Sequence, residues 1–273
     1  MELLNLLLEP FSYSFMQRGL LAGIFVGILC AIMGTYVVLK GMAFMGDALA
    51  HAIMPGVAIS YIFGGNLFFG AVIAAVVVAM AIGWISKRGS IKEDTAIGIL
   101  FAFALSLGIA LISSMNTYAV DLSHILFGNI LGVSQTDLII TIAFSIAILA
   151  ILFILYRPLL VITFDPVLAK TMRLPTDLLN NMVLILLAIT VVVSLQTVGV
   201  SLSAAMLVTP AGTAYLLTRR LPSMMALAAG LGAISAFFGL LLSYYLNIVS
   251  GSAIVLVSTM IFIVVYVFKK GKR

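Results

Sequence analysis

The sequence predicts an all-α membrane protein, a helix bundle of eight or nine transmembrane helices with one short cytoplasmic helix. Of the 273 residues, 64% are hydrophobic and only 8% are charged, whereas a soluble domain carries about 25% charged residues. Several apolar runs reach the length of about 20 residues that a bilayer-spanning helix needs. The basic residues lie in the short gaps between these runs, as the positive-inside rule describes.

The long apolar runs are predicted to be helices, because only helices and closed barrels satisfy their backbone polar groups in lipid and barrel strands are much shorter. In chain order the predicted spans are 18–39, 42–62, 67–86, 94–115, 136–156, 177–197, 198–218, 222–245 and 251–268. Eight spans result instead if one segment is re-entrant or if two merge. No linker divides the chain, so we predict a single transmembrane domain over residues 1–273.

Basic residues define the predicted orientation. They fall in the gap after Lys87, in the stretch from Arg157 to Arg173, at Arg219-Arg220 and in the tail from Lys269, which places these four segments and the C-terminus in the cytoplasm. The formal charge of +5 therefore indicates membrane topology and not a nucleic-acid partner. The segment 116–135 lies on the outer side and is too apolar for a simple loop, which predicts a short re-entrant or interfacial helix.

Small residues and a single cysteine limit what the first span can do. Gly19, Gly23 and Gly27 repeat at four-residue spacing, which lets another helix approach closely, either in the same chain or in a second subunit. Cys30 is the only cysteine, so a disulfide within the chain and a thiolate metal cluster are both excluded.

The segment GDALAHAIMPG at positions 46–56 places two ionisable side chains in an apolar run. Asp47 and His51 are four residues apart, so on a helix they share one face with Cβ atoms about 5–6 Å apart. Asp47 lies about 10 Å along a helix from Lys40, which puts it within the hydrocarbon layer if Lys40 marks the surface. An ionised carboxylate there costs at least ~2.5 kcal/mol, so we expect it to face a cavity, a partner or a passing ion.

A carboxylate and an imidazole suit divalent manganese, iron or zinc, so Asp47 and His51 are predicted metal ligands. A symmetric dimer would place four such ligands around one axis, and incomplete coordination suits a site that must release its ion. The alternative is a local hydrogen bond between the two side chains that neutralises both inside a packed bundle. Pro55 removes a backbone donor, which favours an interrupted helix that lines a cavity.

Three methionines and a second histidine allow further interpretations. Met42, Met45 and Met54 would be soft ligands that favour copper, although methionine more often fills gaps in packing. His124 could form an outer entry site with Asp121, or it could be an interfacial histidine bonded to the backbone.

Proline also interrupts a later span. The segment SLSAAMLVTPAG at positions 201–212 combines small residues with Thr209 and Pro210. This composition predicts either a packing kink or a flexible gate, to which Pro55 would also contribute.

The segment FDPVLAKTMRLP at positions 164–175 predicts an isolated cytoplasmic helix of about two turns. Asp165 is a favourable N-cap residue and Pro166 a favourable first helical residue, and Pro175 stops the helix. It is either an amphipathic helix that rests on the lipid surface or a docking helix for a soluble motor subunit.

Taken together, these segments resemble the metal-uptake permease family of ABC transporters, whose members serve manganese, zinc or iron. GDALAHAIMPGVA resembles the most distinctive motif of that family, and DLSHILFGNIL, FDPVLAKTMRLP and SLSAAMLVTPAGTAYLLT resemble three further blocks in the same order. The chain departs from the pattern at Arg173, where relatives commonly carry glycine, so the end of the short helix is expected to differ.

The resemblance implies a multi-pass protein of the bacterial inner membrane that forms a homodimer with its pathway at the two-fold axis. It implies two cytoplasmic ABC ATPase subunits and an extracytoplasmic metal-binding protein that delivers the ion. Asp47 and His51 match the in-pathway metal ligands of the family. The short helix matches its coupling helix, at Asp165, Pro166, Ala169, Lys170, Arg173, Leu174 and Pro175. The transported ion expected from this likeness is manganese, with zinc or iron as alternatives, and no resident cofactor is expected.

The chain lacks a G-x-x-x-x-G-K-[ST] phosphate loop, so ATP hydrolysis is expected in a separate subunit and not in this one. The competing function is a proton-coupled secondary transporter of divalent metals, with Asp47 as the proton-coupled ligand. An intramembrane protease would need an activated nucleophile near His51 or His124, and the sequence has no G-x-S-x-G elbow.

Overall fold

The structure is a computed structural model that describes residues 9–87, 93–114 and 130–270. The regular elements within these ranges are all helices. They comprise α1 (Ser14–Lys40), α2 (Met45–Ala52), α3 (Met54–Ile62), α4 (Leu67–Lys87), α5 (Glu93–Ser113), α6 (Gln135–Ile154), α7 (Tyr156–Phe164), α8 (Pro166–Thr171), α9 (Thr176–Val198), α10 (Val200–Leu217), α11 (Leu221–Leu246) and α12 (Ser250–Lys270). Two short 3-10 turns, Glu9–Ser12 and Ile130–Gly132, complete the described elements.

Eight helices in the described ranges are long and apolar enough to cross a membrane, namely α1, α4, α5, α6, α9, α10, α11 and α12. The predicted bounds agree with the observed ones to within a few residues, as with 67–86 against Leu67–Lys87. The agreement is close because a bilayer demands a nearly fixed apolar length from each span. The all-α membrane fold is thus confirmed.

The segment predicted as one span over 42–62 is instead two short helices, α2 and α3, separated at Ile53. The physical reason is Pro55, which has no N–H to offer the carbonyl of His51 four residues earlier. The N–H of Ile53 contacts that carbonyl instead. Both helices pack against α4 and α5.

A single glycine separates the closely spaced spans predicted at 177–197 and 198–218. Gly199 lies between α9 and α10 with φ 84° and ψ 173°, a conformation that glycine adopts at little steric cost. The connection therefore contains no other residue outside a helix.

The glycines of α1 serve packing within the chain. A Cβ added to Gly27 would lie 3.0 Å from the carbonyl oxygen of Gly232 on α11, and one added to Gly34 would overlap the carbonyl oxygen of Leu207 on α10. Such backbone contact is how small residues bring membrane helices together. Cys30, on the same helix, is fully buried.

The described contacts group the chain into two compact units. Unit 1 comprises Met1–Val38, His124–Ala147 and Val193–Arg273, and unit 2 comprises Leu39–Ser123 and Ile148–Val192. The unit boundaries fall within α1, α6 and α9, so these helices contribute residues to both units. The organisation as a single domain stays a prediction.

Candidate metal site

Helix α2 presents the two predicted ligands on one exposed face. Its opposite face is buried, with Met45 and Leu49 both inaccessible to solvent, so Asp47 and His51 are directed away from the core. His51 Nε2 lies 3.8 Å from Asp47 Oδ1, and the side chains are 31% and 53% exposed. This distance is beyond hydrogen-bonding range, so the local hydrogen bond considered as an alternative is not formed.

The imidazole of His51 also has an unsatisfied nitrogen. Its Nδ1 is buried, and it has no hydrogen-bond partner within the part of the chain that the structure describes. The ring packs edge-on against Phe101 with centroids 5.6 Å apart. A buried polar atom without a partner costs about 1–3 kcal/mol, so the placement of this ring carries a cost that a fully apolar side chain would avoid.

A cavity of about 300 Å³ opens beside Asp47 and contains a second carboxylate, that of Asp94. Phe44, Ile97 and Phe101 contribute its apolar wall. Asp94 was not among the predicted ligands, because it belongs to α5 and only the packing of α2 on α5 brings it to this cavity. A charged residue at the start of an apolar span was the available signal, but it gave no indication of which helix lies opposite.

The nearby methionines are packing residues. Met42 and Met45 are fully buried, and a Cβ added to Gly108 would press against the Cβ of Met54. The exposed donors on this face are therefore oxygen and imidazole nitrogen, which suit divalent manganese, iron or zinc, and not the thioethers that copper(I) prefers.

The described residues of one chain do not complete a metal site by themselves. Among the described residues, no group of three or more His, Cys, Asp or Glu side chains is placed to hold a metal ion. Two ligands from one α2 helix can bind a divalent cation only weakly, so tighter coordination requires donors from elsewhere.

The residues predicted as a gate lie in separate parts of the fold. Pro55 is buried in the first turn of α3, in unit 2. Pro210 is buried inside α10, in unit 1, and the Thr213 hydroxyl donates to the carbonyl oxygen of Thr209 at 2.8 Å. A gate formed by Pro55, Thr209 and Pro210 stays a prediction.

The short helix α8 begins as its sequence predicts. Asp165 Oδ1 accepts hydrogen bonds from the backbone N–H groups of Val167 at 3.1 Å and Leu168 at 2.9 Å. Pro166 is the first helical residue, where its missing N–H costs nothing. The helix contains six residues, fewer than the predicted two turns.

The other end of α8 is closed by two backbone hydrogen bonds. The N–H of Arg173 donates to Lys170 O and that of Leu174 to Ala169 O, both at 3.0 Å. This is the Schellman arrangement, which requires a left-handed residue after the helix. Arg173 supplies that conformation with φ 56°, which is the physical reason for expecting glycine at this position.

Helix α8 exposes apolar side chains on one surface. Val167 is 72% and Met172 56% exposed, and Phe164 and Leu168 are exposed as well, whereas Ala169 is fully buried. Lys170 and Arg173 lie within this segment, and Pro175 ends it. Such an exposed apolar surface with basic neighbours suits either contact with another protein or the membrane surface.

The outer histidine lies beyond the described residues. His124 and Asp121 belong to 115–129, so the predicted outer entry site and most of the predicted helix over 116–135 stay predictions.

Similarity to known proteins covers nearly the whole chain. The family model described as the ABC 3 transport family matches residues 12–269. The chain is 49% identical over 257 residues to the "Manganese transport system membrane protein MntC" of Halalkalibacterium halodurans, covering 94% of this chain and 88% of that protein. It is 42% identical over 262 residues to the "Manganese import system permease protein ScaB" of Streptococcus parasanguinis, covering 96% and 93%.

A solved structure has the same fold. A chain of "PsaBC from Streptococcus pneumoniae in complex with Fab" superposes with a TM-score of 0.82 at 41% identity, covering 93% of this chain and 91% of that one. With eight apolar helices in the described part of the chain and these membrane relatives, the chain is a multi-pass membrane protein. The match over residues 12–269 shows that the chain belongs to the ABC 3 transport family.

Proposed function

We propose that this chain is the membrane permease subunit of an ATP-driven importer for a divalent transition metal, with manganese as the transported ion. The observation that carries the proposal is the pair Asp47 and His51, which share an exposed face without a hydrogen bond between them. The relatives named for manganese transport support the choice of ion. Zinc and iron remain alternatives, because the same two donors accept them.

The incomplete ligand set of one chain supports a homodimer. Two copies would contribute two carboxylates and two imidazoles around a shared axis, which gives a four-ligand site for a divalent cation. Such a site binds the ion firmly enough to accept it and weakly enough to release it. Alternating access would then bring the four ligands together in the conformation that binds the ion and separate them in the conformation that releases it.

The energy for this cycle would come from a cytoplasmic ABC ATPase subunit. The surface of α8 offers it an apolar contact through Val167 and Met172, with Lys170 and Arg173 beside them. An extracytoplasmic metal-binding protein would deliver the ion from the other side. This arrangement places α8 and the C-terminus in the cytoplasm.

Metal uptake by the reconstituted complex tests the role of the ligand pair. Asp47→Ala and His51→Ala should each abolish ATP-dependent uptake of radioactive manganese while the ATPase subunit still copurifies. Glu9→Gln is a matched control, because it removes an exposed carboxylate that lies outside the cavity beside Asp47. Uptake at the normal rate in either alanine variant would refute the proposed site.

Competition between metals tests the identity of the cargo. When manganese, zinc and iron compete at equal concentration, radioactive manganese should accumulate fastest. Binding alone would not give this result, because manganese binds nitrogen and oxygen donors most weakly of the three. Because metal ligands must be deprotonated to bind, uptake is expected to fall in acid.

The proton-coupled secondary transporter makes the opposite energetic prediction. In that case uptake would persist without ATP or an ATPase subunit and would stop when the proton gradient is collapsed. The permease proposal requires the reverse, with uptake that depends on ATP and survives collapse of the gradient.

A further inference from the structure

A second cavity of unit 2 lies where three apolar helices end. It has a volume of about 340 Å³, and Lys40, Lys87 and Thr176 are among the residues that line it. Lys40 is the last residue of α1, Lys87 the last of α4, and Thr176 the first of α9. Because these are the ends of helices long enough to span a membrane, we expect the cavity to lie at the depth of the lipid headgroups.

The polar lining carries a net positive charge. Lys40 Nζ donates to Asn180 Oδ1 at 2.7 Å, and Lys87 Nζ pairs with Asp177 Oδ2 at 2.7 Å. Two ammonium groups against one carboxylate leave a formal charge of +1. An ammonium has three N–H donors, so its one carboxylate partner does not saturate Lys87, and the amide of Asn181 lies in the same lining.

We propose that this cavity binds the phosphate headgroup of an anionic phospholipid such as phosphatidylglycerol. Basic pockets between membrane helices recognise such headgroups through charge and hydrogen bonds, and the volume lies in the range of about 300–1,000 Å³ that is typical of ligand sites.

The surroundings favour a lipid over a soluble phosphate. Trp84 lies on α4 one turn before Lys87 and is 58% exposed, and tryptophan is enriched at the level where acyl chains meet headgroups. Gly83, beside it, lines the cavity. A phospholipid whose phosphate lies in the cavity would therefore have Trp84 beside its acyl chains. A soluble phosphate has no acyl chain to make this contact.

Trp84 provides the probe, because it is the only tryptophan in the chain. The purified full-length permease is placed in phosphatidylcholine nanodiscs that contain a small, equal mole fraction of either brominated phosphatidylglycerol or brominated phosphatidylcholine. Bromine quenches tryptophan fluorescence only at short range. The expected result is stronger quenching by the brominated phosphatidylglycerol.

Two variants that change the charge of the cavity in opposite directions make the test specific. Lys87→Gln should lower the preference for phosphatidylglycerol about fivefold, as expected for one basic side chain near an anionic headgroup. Asp177→Asn should raise the preference, because it removes the carboxylate that competes for Lys87. Loss of folding cannot produce shifts in both directions. Arg220→Gln is the matched control, since it removes an exposed positive charge of unit 1 and should change nothing.

Four outcomes would overturn the proposal. The first two are equal quenching by the two brominated lipids and a change in the same direction in Lys87→Gln and Asp177→Asn. The third is a loss of preference in Arg220→Gln as large as in Lys87→Gln, and the fourth is loss of the preference on adding millimolar glycerol phosphate. The last would assign the cavity to a soluble phosphate. The inference is independent of metal transport, so a failure of one leaves the other standing.

Discussion

At the scale of single residues, Arg173 adopts a left-handed backbone conformation that is unfavourable for a residue with a side chain but that the end of α8 requires. Its φ of 56° closes α8 through two backbone hydrogen bonds, and a residue with a Cβ pays about 1–2 kcal/mol for the left-handed conformation. The same position is where the resemblance to metal-uptake permeases implies glycine. The left-handed backbone at Arg173 thus explains physically why glycine is expected at this position.

Arg173→Gly is expected to stabilise the chain by about 1 kcal/mol, because glycine adopts this φ at little cost. Thermal unfolding of the purified permease measures the change. Arg173→Ala is the control, since alanine removes the charge but keeps the Cβ, and it should give no gain. An equal gain in both variants would trace the effect to the guanidinium group and not to the backbone.

Asp94 gives a second prediction at this scale. Its carboxylate shares a cavity with Asp47, so it should raise the local concentration of cations without being a required ligand. Asp94→Asn is expected to raise the apparent KM for manganese several-fold at low ionic strength while kcat is retained.

High salt should remove most of the difference between Asp94→Asn and the unaltered chain, because it screens exposed charges. Uptake measured against manganese concentration at two ionic strengths checks this. A complete loss of uptake at both would instead make Asp94 a direct ligand.

At the scale of elements, the short helix α8 depends on its ends. Six residues form too short a helix to persist on intrinsic propensity, so the Asp165 cap at one end and the Schellman closure at the other hold it together. Its N-terminal signal could be predicted from sequence, because Asp followed by Pro has a local physical meaning. Its exposed apolar surface could not, because exposure depends on which neighbours pack against the helix.

Asp165→Ala should destabilise α8 by about 1 kcal/mol through loss of the cap and weaken retention of the ATPase subunit. Asp165→Asn is the matched variant, because asparagine caps equally well and should restore retention. Copurification of the ATPase with each variant is the measurement. Normal retention in Asp165→Ala would mean that the partner does not depend on an ordered α8.

The long helices were predictable because lipid imposes the same requirement on each, a run of about 20 apolar residues. The departures occur where one residue overrides that requirement. Pro55 divides the predicted span 42–62 into α2 and α3, and Gly199 divides two spans with a single residue. Proline and glycine were visible in the sequence, but their effect on helix bounds depends on the backbone geometry around them.

At the scale of the whole molecule, close backbone contact between small residues holds α1 against its neighbours in unit 1. Hydrophobic burial contributes little to such packing in lipid, because the acyl chains are as apolar as the helices. The close packing at Gly27 was predicted in kind by the spacing of Gly19, Gly23 and Gly27, whereas that at Gly34 was not. Their partners, Gly232 and Leu207, required the fold, as did the joining of Lys40 to Asn180.

Gly34→Val should destabilise the chain by about 1–3 kcal/mol, because overpacking forces neighbouring backbone to move. The added Cβ would overlap the carbonyl oxygen of Leu207. Gly212→Ala is the matched control, since a Cβ there has no neighbour within 4 Å and should cause no loss. Thermal unfolding in detergent compares the two, and equal stability of Gly34→Val and the unaltered chain would contradict the packing.

The connection at Gly199 has a mechanical meaning for the proposed transport cycle. Each residue contributes only two soft torsions. The angle between α9 and α10 can therefore change only through the φ and ψ of Gly199, unless one of the helices unwinds. A shift transmitted along α9 from α8 would pass into α10 unless these two angles rotate. A single residue thus connects two long helices. Because glycine has no side chain, its φ and ψ can change with little steric hindrance.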